Sequence, residues 1–110
     1  MGKYLGLVRY AGPAVKEAGA HPAVHKAALD TATQSVGGQV VASYWMLGSF
    51  DLVAVLEFPD AVSAKAVHLA VMAGGAATHA EVYPILDDGE AETLVSRVQD
   101  AAAAYKGTAG

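Results

Sequence analysis

His79, Glu81 and Tyr83 occupy alternate positions in the run Thr78–Leu86, so a strand there would put an imidazole, a carboxylate and a phenol on one face. An imidazole titrates near neutrality, which suits it to proton transfer. If that face lines a space between a sheet and its helices, His79 can serve as a base and Tyr83 as a phenol donor to an apolar substrate, with no cofactor. If it faces solvent, the same pattern is an ordinary polar edge. His25 and His21 lie four residues apart at a helix start, a spacing that can put two imidazoles on one metal. Two ligands do not make a site. The HExxH pattern is absent, so we expect no metal and read His25 as a partly buried helix residue. Trp45, Phe50 and Asp51 complete the candidate ligand-binding set with His25. Asp51 and Glu57 share a strand face but lie about 20 Å apart, too far to act as a carboxylate pair. Asp51 is expected to bond nearby backbone or Arg9. His68, beside Lys65, is expected to be solvated. No phosphate loop, dinucleotide fingerprint or serine-nucleophile motif is present.

These residues are positioned by four strands and three helices legible in the pattern. Residues 3–10 alternate as a first strand, with Leu5, Leu7 and Arg9 against Tyr4, Val8 and Tyr10. Ala11-Gly12-Pro13 breaks it, and a short helical turn is predicted over 13–18. A helix starts near Pro22 and carries His25, Leu29, Ala32 and Val36 along one side until Gly37-Gly38 closes it. Residues 39–47 and 50–58 read as hairpin arms separated by Gly48-Ser49. That predicts a two-residue type II′ turn with Leu47 opposite Phe50, Trp45 opposite Leu52 and Ser43 opposite Ala54. One hairpin face then carries Trp45, Leu47, Phe50, Leu52, Leu56 and Phe58. Asp60 caps a second helix to about Ala73, with Val62, Ala66, Leu69, Ala70 and Met72 around one side. After the strand at 78–86, Asp87-Asp88 begins a third helix, about 89–105, with a stripe of Ala91, Leu94, Val95, Val98, Ala102 and Tyr105. Residues 107–110 read as a frayed tail.

Strand, helix, strand, strand, helix, strand, joined by right-handed crossovers, predicts an α+β, ferredoxin-like βαββαβ sandwich: an antiparallel four-stranded sheet in order 4-1-3-2, both helices on one side, and an added C-terminal helix. We expect one domain over 1–110 with its core in 3–86. The sheet face without helices still carries large apolar residues, so a homo-oligomer, dimer or higher, is expected to cover it. The third helix either lies on that sheet or reaches a neighbouring chain.

Composition narrows the function classes. The chain has 110 residues, no cysteine and a net charge of −4. Disulfides, thiolate zinc sites and cysteine nucleophiles are therefore excluded. Its seven lysines and arginines are scattered singly, which argues against nucleic-acid binding. Neither a signal sequence nor a membrane-length apolar run is visible, so we expect no membrane partner and a cytoplasmic protein.

The hairpin and its exit, Gly48-Ser49-Phe50-Asp51-Leu52-Val53-Ala54-Val55-Leu56-Glu57-Phe58-Pro59-Asp60, resemble the signature of the GYD domain family. The Lys3-Tyr4-Leu5 opening, the proline-led helix ending in Gly37-Gly38 and the late Pro84-Ile85-Leu86 agree with it, so the resemblance spans about residues 3–90. It implies a ferredoxin-like, dimeric α/β-barrel type of fold and no established reaction. The tyrosine of the family's Gly-Tyr-Asp is here Phe50, separated from Gly48 by Ser49, while Asp51 is retained. The chain is more distantly similar to the effector-sensing domains of leucine-responsive regulators, without their DNA-binding half. Three functions fit this reading. A homo-oligomeric module could bind a small apolar or aromatic molecule between sheet and helices, with Trp45, Tyr83 and His79 around it. Alternatively, a cofactor-free enzyme, monooxygenase-like or isomerase-like, could use His79 as base. The third is a structural assembly unit without a ligand.

Overall fold

The computed structural model describes residues 1–20 and 22–105, so His21 and the tail at 106–110, both assigned above, lie outside the described residues. Four strands, β1 (Gly2–Tyr10), β2 (Gln39–Trp45), β3 (Leu52–Phe58) and β4 (Ala77–Ile85), form one antiparallel sheet in order β2-β3-β1-β4. Helices α1 (Gly12–Ala20) and α2 (Pro22–Ser35) join β1 to β2, α3 (Ala61–Ala73) joins β3 to β4, and α4 (Asp88–Ala104) follows. This is the expected α+β, ferredoxin-like order.

The β1 register pairs Tyr4 with Leu56, Gly6 with Ala54 and Val8 with Leu52, so these side chains and Tyr10 face the helices. Against them pack Ala64 and Val67 of α3, with Leu29 and Ala32 of α2. Phe58, fully buried, centres this core, and Tyr4 meets its ring edge-on at 5.5 Å. The inward side of α3 is therefore Ala64, Val67, His68 and Val71. Of the residues grouped on one side of this helix by the sequence pattern, Val62 and Leu69 are 78% and 54% exposed. Asp60 sets this phase, because its carboxylate accepts the Ser63 N–H at 2.7 Å and fixes where the helix begins.

Two glycines let α2 turn back onto the sheet. Gly37 takes a left-handed φ of +82°. At Gly38, a Cβ would lie 2.5 Å from the Glu57 carbonyl oxygen, so only glycine permits this approach to β3.

The hairpin keeps its expected register but not its turn. Trp45 pairs with Leu52 and Ser43 with Ala54, yet the strands end at Trp45 and resume at Leu52. Leu47 and Phe50 are not paired, and Gly48 lacks the positive φ of a type II′ turn. The loop is drawn sideways onto β1 instead. Arg9 Nε donates to the Ser49 carbonyl at 2.6 Å, and the Asp51 N–H donates to the Val8 carbonyl at 2.8 Å. These bonds hold the loop against the end of β1. Leu47 is left fully exposed, and Phe50 lands on the opposite side of the sheet from that expected. A register shift at Val41 then returns Val40 to the core.

The helix α4 starts at a capping box, with Asp87 and Glu90 each accepting the other's backbone N–H. It does not lie on its own sheet: every residue from Asp88 to Tyr105 is exposed. No helix among the described residues is long and apolar enough to cross a membrane.

Candidate functional site

The candidate residues separate onto the two faces of the sheet. On the helix side, β1 ends in Tyr10, whose ring meets the His25 imidazole of α2 edge-on at 4.9 Å and the Trp45 ring at 6.2 Å. Trp45 stands at the rim, 37% exposed, with Lys26 Nζ 5.5 Å from its ring centre. Lys26 also donates to the Ser43 carbonyl at 3.3 Å. Behind Tyr10 and His25 the sheet and helices enclose a pocket of about 230 Å³, walled by Val8 and Leu52 of the sheet, Leu29 and Ala32 of α2, and Val71 of α3. It opens past the exposed Ala70 and Gly74. A void of about 30 Å³ under Gly6 shares several of these walls, but has room for little more than one water. His25 Nε2 is buried and has no hydrogen-bond partner among the described residues.

Asp51 does not line this pocket; it fixes the wall. Its carboxylate accepts the Tyr10 N–H at 2.9 Å, while its own carbonyl accepts the Met46 N–H at 2.8 Å. With its N–H on Val8, the residue ties the hairpin loop to the end of β1. This fits the expectation of a backbone-bonded Asp51. Burial, and then the nearby Asp51 charge, push the Tyr10 phenol above its ordinary pKa, so it stays protonated.

His79 and Tyr83 pair with Arg9 and Leu5, which places them on the open face. They do not line the space between sheet and helices, because β4 turns Ala80 and Val82 inward and the odd-numbered residues outward. There His79 Nε2 lies 2.7 Å from Glu81, and the Tyr83 hydroxyl donates to the other Glu81 oxygen. Those bonds, Tyr83's first, hold the Glu81 carboxyl below its ordinary pKa, and the same bond raises that of Tyr83. Phe50 belongs to this group too, 6.0 Å from the His79 ring and 5.2 Å from the Arg9 guanidinium. The expected ligand set thus divides: His25 and Trp45 meet at the pocket, Asp51 supports it, and Phe50 joins His79 and Tyr83 outside.

Two neighbouring side chains complete the hydrogen bonding around the sheet. His68 is not solvated. Its Nε2 lies 2.7 Å from the Ala80 carbonyl, which can only accept, so Nε2 carries a proton and neutral Nδ1 accepts from Lys65 at 3.1 Å. Glu57 accepts from Gln39 within its own chain. Tyr10 was missed as a site residue, although its place after Tyr4, Gly6 and Val8 on the inward face was a usable signal. Among the described residues no three His, Asp or Glu side chains cluster to hold a metal.

Comparison with known proteins agrees with the fold. A crystal structure of TTHA0845 from Thermus thermophilus superposes with a TM-score of 0.54 at 22% identity, covering 79% of this chain and 95% of that one. That likeness speaks to the fold alone. No curated protein matches the chain. The model of the GYD domain matches residues 4–95, taking in every strand, the first three helices and both groups of candidate residues, and the chain therefore belongs to the GYD domain family.

Proposed function

We propose that this GYD domain is a homo-oligomeric module that binds a small, mainly apolar or aromatic molecule in the cleft between sheet and helices. One observation carries the reading: the pocket of about 230 Å³ behind Tyr10 and His25, apolar except for those two side chains. A cavity of about 150 Å³ already accepts benzene, so this one suits a substituted ring or two fused rings. A purely structural unit would fill such a space with side chains. Thermal-shift screening of small aromatics tests the reading. A ligand at one hundred times its dissociation constant should stabilise the fold by about 2.7 kcal/mol. No shift with any aromatic at millimolar concentration would count against it.

The homo-oligomer is supported by the open sheet face, where Leu5, Leu7, Val53, Val55 and Ile85 are each partly exposed with no helix above them. A second copy of that face is the economical cover. Light scattering should report at least a dimer for the native chain and a monomer for Val55→Arg. A second reading, a cofactor-free enzyme with His79 as base, is favoured by the bonds that orient His79 and Tyr83 on Glu81. It predicts that His79→Ala abolishes turnover of a substrate found by screening.

A further inference from the structure

We infer that α4 is an exchanged arm, which packs its apolar stripe against a second copy of this chain and widens the contact that the open sheet faces make. The inference rests on the homo-oligomer proposed above and adds the element that completes its contact. Helix α4 starts at a capping box and carries Ala91, Leu94, Val95, Val98, Ala102 and Tyr105 along one side. Yet Leu94, Val95, Val98 and Tyr105 are each more than half exposed. A helix in a protein owes most of its stability to burying such a stripe, and the body of this chain does not bury it. The radius of gyration is 17.2 Å, against about 13 Å for a compact chain of this length, which fits a helix that stands away from the body.

Continuity and area point to a second copy as the cover. Ile85 ends β4 on the open face, and only Leu86, half exposed, and the capping Asp87 separate it from α4. The helix therefore leaves from the rim of the surface that pairs. Four strands of seven to nine residues present a face of roughly 500 Å². A stable interface takes about 800 Å² from each partner, so the sheet alone falls short. An exchanged α4, about 25 Å long and 10 Å wide, contributes roughly 250 Å² of its own and as much again beneath the partner's arm. Charge argues against a lipid surface instead. A helix that lies on a membrane is rich in lysine and arginine on its polar side, whereas α4 carries Asp88, Glu90, Glu92 and Asp100 against Arg97 alone.

Isotope-filtered NMR on a mixture of carbon-13-labelled and unlabelled native chains tests the arm, with self-association measured by analytical ultracentrifugation. We expect contacts from the Leu94 and Val98 methyls of labelled copies to protons of unlabelled ones. Val98→Glu disturbs no buried group of a single chain and should weaken self-association at least about tenfold, since the residue is buried once in each copy. Ser96→Gln, on the opposite side of α4, should leave it within about twofold. An oligomer without those contacts between copies, or one whose affinity Val98→Glu leaves unchanged, would overturn the inference and leave the sheet-face homo-oligomer standing. A monomeric native chain would overturn both. Should Val98→Glu unfold α4, the contacts in the native chain decide.

Discussion

Replacing Asp51 tests how the pocket wall is held. The residue accepts the Tyr10 N–H through its side chain and links the hairpin loop to β1 through its backbone. In Asp51→Ala the backbone links survive, but the half-buried Tyr10 N–H loses its acceptor. Leaving such a donor unpaired costs about 1–3 kcal/mol. For a domain of this size each kcal/mol lowers Tm by about 4–8 °C, so a loss of roughly 5–20 °C is expected. Asp51→Asn retains an oxygen at the same place, so it should lose less than about 1 kcal/mol. The two variants also differ from the native protein at the phenol. Because the Asp51 charge helps raise the Tyr10 pKa, Asn should lower it, but not to 10.0, since burial is the larger cause. Urea denaturation and ultraviolet titration of the tyrosines read the two effects. An alanine variant as stable as the native chain, or an asparagine variant as damaged as alanine, would refute this account of Asp51.

Other consequences follow from single contacts. Gly38→Ala should cost at least about 1–3 kcal/mol in chemical denaturation, because its Cβ would sit 2.5 Å from a backbone oxygen that cannot move without displacing β3. Ser63 hydrogen bonds hold the Asp60 carboxyl below its ordinary pKa, so its contribution is complete above that ordinary value and is lost as pH falls through the lowered one. Asp60→Asn keeps the cap, and its urea midpoint should therefore fall less steeply than the native one below about pH 4. A chain cut after Leu86 should keep dispersed amide resonances, since no residue from Asp88 to Tyr105 is buried; collapse of the spectrum would show that α4 is needed for folding.

Alternation alone did not say whether His79 and Tyr83 or Ala80 and Val82 of β4 meet the helices. Strand order and the helix caps were legible because they rest on local patterning and on single residues such as Asp60, Gly37 and Asp87. The phase of α3 was not. Its sequence is rich in alanine and valine on all sides, so periodicity alone could not choose Val67 over Leu69. The hairpin turn misled for a different reason. Gly48-Ser49 suits a tight reversal locally, but Arg9 and Asp51, far apart in sequence, compete for the same loop through contacts with Ser49 and β1. Trp45 and His25 could be named as candidates. Tyr10, which joins them, became visible only once the end of β1 was set beside α2.

The central claim is that the space behind Tyr10 and His25 is a binding site. Methyl NMR of Leu29, Leu52 and Val71 during titration with 2-naphthol tests it most directly. The account predicts saturable shifts at these three residues, with contacts from the ring to their methyls. Methyls that stay fixed while Leu5, Leu7 or Val55 on the open face respond would contradict it.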